Sequence, residues 1–186
     1  MEREFRINMN RPITCAFSGH RPHKAPGMFR RDGRLIETVR GRLDGAVRAA
    51  VIDGYKFFMS GGGLGFDLEA ADSVLSARTE FPFIKLILAL PCRGHSAKWL
   101  AGDVERLARI AGSASEVVYV SDAPYRDGCM LRRNEYLIDH ASMLICAYGR
   151  APGGTRHTLG YAKKCQLRVV SLLDPAVILD GPWGVA

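Results

Sequence analysis

A glycine-rich segment, SGGGLGFD at residues 60–67, is the strongest candidate for chemistry in the sequence. It follows an apolar run typical of a β-strand and precedes a helical pattern. Glycine lacks a Cβ, so its backbone can approach a phosphate closely and adopt positive φ. The N–H groups at the start of a helix also favour an anion. A tight strand–helix turn needs fewer glycines, so we predict a phosphate cradle in which the backbone amides of the triple-glycine turn are free. The cradle comprises Ser60, Gly61, Gly62, Gly63 and Gly65.

A second candidate segment, FSGHRP at residues 17–22, closes the first apolar run of the chain. Arginine presents a planar set of donors that suits phosphate or carboxylate. His20 either orients a ligand or is a solvated loop residue, and Gly19 beside Arg21 favours the first interpretation. We therefore predict that Gly19, His20 and Arg21 contact the ligand. The chain from residue 20 to residue 33 is rich in Pro, Gly and basic residues, and loops of this length are often functional or mobile.

A third candidate segment, CMLRRN at residues 129–134, begins another helical pattern. Acidic residues are the favourable ones near a helix N-terminus, so Arg132 and Arg133 oppose the helix dipole there. An anionic ligand would remove this conflict, whereas the alternative is a solvated pair of surface arginines. We predict that Arg132 and Arg133 face the ligand.

A fourth candidate segment, RAPGGT at residues 150–155, lies between an apolar run and the last helical pattern. Gly153, Gly154 and the hydroxyl group of Thr155 are predicted to form a second site for phosphate. The alternative for Thr155 is a helix N-cap without a ligand.

The elements that must position these segments alternate regularly along the chain. Apolar runs rich in β-branched residues predict strands at residues 13–17, 55–60, 84–90, 116–120, 142–147 and 168–172. Helical patterns cover residues 35–51, 68–75, 99–111, 130–140 and 155–166. This alternation predicts an α/β fold, a Rossmann-like three-layer α/β/α domain with a mainly parallel sheet. Ligands bind outside the carboxyl ends of the strands in such a sheet, where all four candidate segments fall.

Length and composition limit the remaining function classes. A chain of 186 residues suits one domain, which we place at residues 1–186 with its core at about 13–175. No apolar run approaches the ~18 residues that span a bilayer, and no apolar signal segment follows the N-terminus, so we expect a cytoplasmic protein without membrane contact. The five cysteines have no CxxC spacing and no His/Cys/Asp cluster occurs, so we assign no disulfide framework, no metal and no cofactor.

Five motifs taken together resemble the YpsA-like branch of the SLOG superfamily: SGHRPHK, FMSGGGLGFDLEAA, LPCRGHSAKW, CMLRRNEYLID and PGGTRHTLGYA. They occur in this order from about Thr14 to Pro175, nearly the whole chain. The resemblance implies a Rossmann-like fold and a site for nucleotides or their derivatives, including ligands related to NAD or ADP-ribose. It implies no particular reaction.

The related Lonely guy family consists of phosphoribohydrolases that release a base from a nucleoside monophosphate. Similarity to its helix-start motif implies that Arg133 is the catalytic arginine, but its catalytic glutamate falls at Gly160, which carries no carboxylate. A carboxylate normally stabilises the cationic sugar of N-glycoside cleavage. Asp67 could supply it, as could Glu69, although Asp67 could instead only satisfy backbone donors in the first helical turn. We therefore name Asp67 and Arg133 as the candidate catalytic residues.

Another relative, DprA, is a single-stranded DNA binder with a similar glycine loop. The net charge of +7 suits DNA, but this chain lacks the flanking domains of that family. The leading hypothesis is therefore a protein that binds or senses a nucleotide-like small molecule. An N-glycosidic hydrolase of nucleotides is the first alternative, and nucleic-acid binding is not favoured. The pattern permits a homo-oligomer without demanding one.

Overall fold

The computed structural model describes residues 10–149 and 152–173. Within them, six strands form one sheet: β1 (Thr14–Gly19), β2 (Phe57–Ser60), β3 (Lys85–Leu90), β4 (Glu116–Tyr119), β5 (Met143–Ala147) and β6 (Arg168–Ser171). Five α-helices connect these strands: α1 (Glu37–Ile52), α2 (Phe66–Ala77), α3 (Ala101–Ser113), α4 (Cys129–Asp139) and α5 (Gly154–Lys164). Among these residues, no helix is both long and apolar enough to span a membrane.

The sheet has the strand order β4-β3-β2-β1-β5-β6, and every neighbouring pair is parallel. One apolar core packs α1, α2 and α3 against one face of the sheet, and a second core packs α4 and α5 against the other. The fold is therefore the predicted three-layer α/β/α architecture of Rossmann type. Strands β1, β3 and β5 are buried along almost their whole length, as expected for a parallel sheet covered on both faces.

The strand order reverses beside β1. From β1 the chain proceeds outward through β2, β3 and β4 on one side, and then returns to place β5 against the other side of β1. The connections that leave β1 and β5 consequently part in opposite directions at the carboxyl edge. A crevice opens at such a reversal and is the usual ligand site of an open parallel sheet.

All six predicted strands are confirmed, with ends that move by one or two residues. The two-residue changes are at β1, which ends at Gly19 rather than residue 17, and at β2, which begins at Phe57 rather than residue 55. The Tyr55 N–H donates to the Ala50 carbonyl in the last turn of α1, so Tyr55 belongs to the helix end and not to the sheet.

The segment from residue 20 to residue 33 is less open than its composition indicates. It contains two short 3₁₀ helices (Pro22–Lys24 and Pro26–Met28), and Met28 and Phe29 are buried in the first core. A bridge between Phe29 and Leu35 closes its end. The segment is therefore anchored to the body of the fold by apolar contacts.

Candidate functional site

A cavity of about 250 Å³ lies at the carboxyl edge of the sheet, at the strand reversal. Of the predicted site residues, nine line it: Gly19, His20, Arg21, Gly63, Asp67, Arg133, Gly153, Gly154 and Thr155. The other five do not: Ser60, Gly61, Gly62, Gly65 and Arg132. Parts of all four candidate segments therefore meet at one cavity, although Gly19 and Thr155 are 136 positions apart along the chain.

An ion pair between Asp67 and Arg133 forms one wall of the cavity. Arg133 Nη1 donates to Asp67 Oδ2 at 3.0 Å, and both residues are buried. Burial raises the pKa of Asp67, while the guanidinium of Arg133 and the Gly63 N–H act in the opposite direction. Burial likewise lowers the pKa of Arg133, against the effect of Asp67. The pair thus brings a carboxylate and a guanidinium together at the site with little access to bulk water.

The glycine-rich turn satisfies much of its own backbone. The Gly62 N–H donates to Ser60 Oγ at 3.2 Å, and the Gly63 N–H donates to Asp67 Oδ2 at 3.2 Å. The Ser60 hydroxyl in turn donates to the Asp67 carbonyl at 2.7 Å. The expectation that these two amides are free is therefore wrong, because side chains within the same segment accept their hydrogen bonds.

The glycines in this turn are needed for close packing. A Cβ on Gly61 would lie 1.4 Å from Arg133 Nη1, and Gly62 has a φ of +62° with its Cβ position 2.4 Å from the Leu90 side chain. Gly65 has a φ of +84° and packs against Pro22 and the His20 carbonyl. The missing side chain at Gly61 leaves room for the Arg133 guanidinium. Of residues 61–65, only Gly63 and Leu64 line the cavity.

The end of β1 packs equally closely on the start of α2. A Cβ on Gly19 would lie within 2.3 Å of the Phe66 ring, and the Phe66 N–H donates to the His20 carbonyl at 3.3 Å. The neighbouring His20 side chain is 3% exposed and contacts the Tyr148 ring, with the two centroids 5.5 Å apart. Burial, followed by the charge of Lys24, lowers the pKa of His20. The imidazole is therefore favoured in its neutral form.

The N-terminus of α5 supplies the opposite wall. Its N-cap residue, Gly153, has a φ of +141° and no side-chain cap, so no side chain accepts hydrogen bonds from the first turn at that position. Thr155 is buried and lines the cavity as the second helical residue, so it is not the N-cap. Arg150 and Ala151 of the same predicted segment lie outside the described residues.

Two buried nitrogen atoms on cavity-lining side chains have no hydrogen-bond partner among the described residues. They are His20 Nε2 and Arg133 Nε. An unsatisfied polar atom in a buried position costs about 1–3 kcal/mol. Both nitrogen atoms have almost no solvent-accessible surface, so this cost is borne within the packed wall of the cavity.

Sequence reasoning missed several residues of the cavity wall. Lys24, Met130 and Asn134 lie in the recognised motifs but were not singled out, and all three line the cavity. Asn134 is buried and its Nδ2 donates to the Gly154 carbonyl at 3.5 Å, which ties α4 to the start of α5. Asn134 follows Met130 by four positions, about one helical turn, and this spacing is the sequence signal that places both residues on one face of α4.

Two further expectations are corrected by the positions of the side chains. Arg132 is exposed and does not line the cavity, whereas the next residue, Arg133, is buried and does. Glu69 is fully buried, but it pairs with Arg34, Arg40 and Arg106 instead of lining the cavity. Glu69 therefore cannot supply a carboxylate to a ligand in this arrangement.

Comparison with known proteins identifies the family and agrees with the fold. The model of the YspA SLOG family matches residues 15–169. The SPbeta prophage-derived protein YoqJ of Bacillus subtilis is 31% identical over 121 residues, which cover 59% of this chain and 71% of that protein. A UPF0398 protein of Halalkalibacterium halodurans is 27% identical over 151 residues, or 80% of this chain and 79% of that protein.

Two solved structures share the fold. DNA processing protein A from Helicobacter pylori, described with a single-stranded DNA binding mode, has a TM-score of 0.61 at 19% identity. The match covers 92% of this chain and 70% of that one. DprA from Streptococcus pneumoniae has a TM-score of 0.56 at 18% identity, and the match covers 92% of this chain but only 53% of that one.

Proposed function

Because this chain belongs to the YspA SLOG family, we propose that its cavity binds a phosphate-bearing nucleotide derivative. The observation that carries the proposal is that three cationic side chains, Arg21, Lys24 and Arg133, line one cavity beside the uncapped N-terminus of α5. Cationic side chains and the free N–H groups of a helix start together favour a phosphate group.

The charge around the cavity favours an anion. Among the described residues, Arg21, Lys24 and Arg133 line it together with a single carboxylate, Asp67, which pairs with Arg133. The uncapped N-terminus of α5 adds the positive end of a helix dipole and backbone donors. Gly153 and Gly154 carry no side chains that would obstruct a phosphate group there. We therefore assign the phosphate to the α5 side of the cavity.

A neutral part of the ligand suits the His20 side. The lowered pKa of His20 leaves an uncharged imidazole beside the Tyr148 ring. Such a group exchanges hydrogen bonds with hydroxyl or ring-nitrogen atoms, which ribose and a nucleobase provide. With about 250 Å³ available, the cavity is near the small end of ligand sites, so it holds a part of a dinucleotide at most.

Ligand titration tests the proposal. AMP, NAD and ADP-ribose are each added to the protein, and binding is measured by calorimetry and by the rise in melting temperature, since a ligand of the native state raises apparent stability. We expect Arg21→Gln to weaken binding, because Arg21 lines the cavity. Arg31→Gln is the matched control, since Arg31 is exposed in the same segment and does not line the cavity. Absence of binding by all three compounds would remove the proposal.

An N-glycosidic hydrolase is the second candidate, favoured by the buried Asp67 carboxylate at the cavity wall. In that reaction water adds to the anomeric carbon of the ribose and the base departs. Gly160, the position of the catalytic glutamate in the Lonely guy family, is exposed and has no atom near its Cβ position, so Asp67 would have to act alone. Release of free base from AMP, or of nicotinamide from NAD, that Asp67→Asn abolishes would establish this activity.

Single-stranded DNA binding is a third candidate, favoured by aromatic and basic groups at and after the carboxyl end of β4. Arg93 lies over the Tyr119 ring at 4.4 Å from its centroid, and Tyr125 is 56% exposed before Arg126. Aromatic rings and arginines together are typical of surfaces that hold single strands. An oligonucleotide affinity that falls steeply with salt concentration, and that Tyr125→Ala weakens, would favour DNA over a small molecule.

A further inference from the structure

Glu69, in the first turn of α2, is the centre of an ion network. Its side chain is fully buried, yet three arginines from three different segments reach it: Arg34 before α1, Arg40 in α1 and Arg106 in α3. Arg34 Nε lies 3.1 Å and Arg106 Nη2 lies 2.5 Å from Glu69 Oε1. A buried carboxylate requires such pairing, because an unpaired charge is costly in the interior.

Asp72, three residues after Glu69 in α2, extends the network. It pairs with Arg106 at 2.7 Å, with Arg109 at 2.9 Å and with Arg34 at 3.7 Å. Burial, followed by the charge of neighbouring arginines, lowers the pKa of both Arg34 and Arg40. The arginines thus repel one another, and the two carboxylates hold them together.

The same network also contacts the end of the segment whose basic side chains, Arg21 and Lys24, line the cavity. This segment, residues 20–34, starts on the first turn of α2, where the Phe66 N–H donates to the His20 carbonyl. It ends on that turn as well, where Arg34 pairs with Glu69. Asp67 lies between these two attachment points, and Arg21 and Lys24 extend from the segment to the cavity.

Contacts within the segment connect its two ends. A Cβ on Gly33, the residue before Arg34, would lie 3.9 Å from Pro22 Cγ. A Cβ on Gly65 would lie 2.8 Å from Pro22 Cδ and 3.2 Å from Arg21 Cα. Pro22 therefore packs on the glycine turn, and the end of the segment lies near it. The Arg30 N–H donates to the Arg34 carbonyl at 2.7 Å, which ties Arg34 to the interior of the segment.

We propose that Glu69 is a positioning residue for the ligand site: through Arg34 it holds residues 20–34 closed on α2 and so keeps Arg21 and Lys24 at the cavity. This inference rests on the proposed function, and it assigns to Glu69 a role that needs no contact with the ligand. Loss of its charge would leave Arg34, Arg40 and Arg106 to repel one another. Arg34 is the one of these three with the most exposed side chain, at 41%, and it would be the first to move away.

The test uses Glu69→Gln and Arg34→Gln, each measured in two ways. Amide hydrogen exchange of residues 20–34 is followed in the ligand-free protein, and the affinity for AMP is measured by calorimetry. Arg109→Gln is the matched control, because Arg109 is exposed and pairs with Asp72 but not with Glu69. Arg34→Lys restores the charge and is the rescue variant. Arg34→Gln also protects the test against misfolding of Glu69→Gln, since Arg34 is partly exposed.

We expect faster exchange in residues 20–34 and about tenfold weaker AMP binding in both variants, a size typical of residues that act through others. Arg109→Gln should match the unmodified chain, and Arg34→Lys should recover most of the affinity. Unchanged exchange and unchanged affinity in both variants would overturn the inference. If the unmodified chain binds no AMP, the proposed function loses its support, while the exchange measurement alone still decides whether Glu69 holds the segment.

Discussion

The guanidinium of Arg133 occupies the space that a side chain on Gly61 would need. An ideal Cβ at Gly61 falls 1.4 Å from Arg133 Nη1 and 2.3 Å from its Cζ. The glycine run therefore serves a different purpose from the one its composition indicates. It makes room for an arginine that then pairs with Asp67, while the run's own Gly62 and Gly63 amides donate to Ser60 and Asp67.

Gly61→Ala should therefore displace Arg133 from Asp67. We expect a loss of about 1–3 kcal/mol in the free energy of unfolding, as for other overpacked buried sites, together with weaker ligand binding. Chemical denaturation followed by circular dichroism measures the first effect. Gly160→Ala is the control, since Gly160 is exposed within α5 and should gain up to about 1 kcal/mol from helix propensity. Equal stability of Gly61→Ala and the unmodified chain would contradict the packing described here.

The Asp67–Arg133 pair should behave as a buried ion pair. Arg133→Met leaves the Asp67 carboxylate buried without its partner, and we expect a loss of about 3–5 kcal/mol in the free energy of unfolding. The double variant Asp67→Leu/Arg133→Met should be less destabilised than Arg133→Met alone, because it leaves no unpaired charge. A double-mutant cycle by urea denaturation measures this coupling, and simple additivity of the two changes would show that the pair is not coupled.

His20 should make the stability of the fold depend on pH. Its pKa in the folded protein is lowered from 6.5 by burial and by Lys24, so the unfolded chain binds more protons as the pH falls below about 6.5. The contribution of His20 is therefore complete above that pH and is lost as the pH falls through the folded pKa. His20→Gln should flatten the decline in melting temperature between pH 7 and pH 5. His23→Gln, exposed in the same segment, is the control and should retain the full decline.

A negative charge introduced at the start of α5 should stabilise the helix but weaken ligand binding. Gly154→Asp places a carboxylate in the first turn, which favours the helix by about 0.3–1 kcal/mol but repels an anionic ligand. Gly154→Asn has nearly the same shape without the charge and is the matched control. We expect Gly154→Asp to be the more stable variant and yet to bind AMP at least about tenfold more weakly, a difference of about 1.4 kcal/mol. Equal affinities of the two variants would place the phosphate elsewhere.

The fold could be predicted almost completely from the sequence because its signals are local. Strands β3 and β5 are almost wholly apolar, and α1 repeats its buried residues, such as Val39, Leu43 and Val47, every four positions. The strand ends, the strand order and the two 3₁₀ helices within residues 20–33 depended on tertiary contacts; Tyr55, for example, donates its N–H to α1. Local periodicity and turn composition therefore indicate the elements and the layer architecture, but not the order of the strands.

The candidate site was predictable in its location but not in its hydrogen bonding. Glycines, arginines and the strand reversal place Gly63, Arg133 and Gly153 at one edge, and all three line the cavity. The packing of α4 against the glycine turn decides two further features. It determines which groups accept hydrogen bonds from the Gly62 and Gly63 amides, and which of Arg132 and Arg133 is buried. The sequence contains no local signal for a contact between residues 66 positions apart, such as that of Asp67 with Arg133.

The central claim is that a phosphate group binds at the α5 side of the cavity. Comparing the affinities for AMP and adenosine tests it most directly. Calorimetric titration of the unmodified chain should give measurable binding of AMP and at least about tenfold weaker binding of adenosine, because the phosphate supplies the charge that Arg21, Lys24 and the α5 N-terminus attract. Binding of adenosine as tight as that of AMP, or no binding of either compound, would contradict the account.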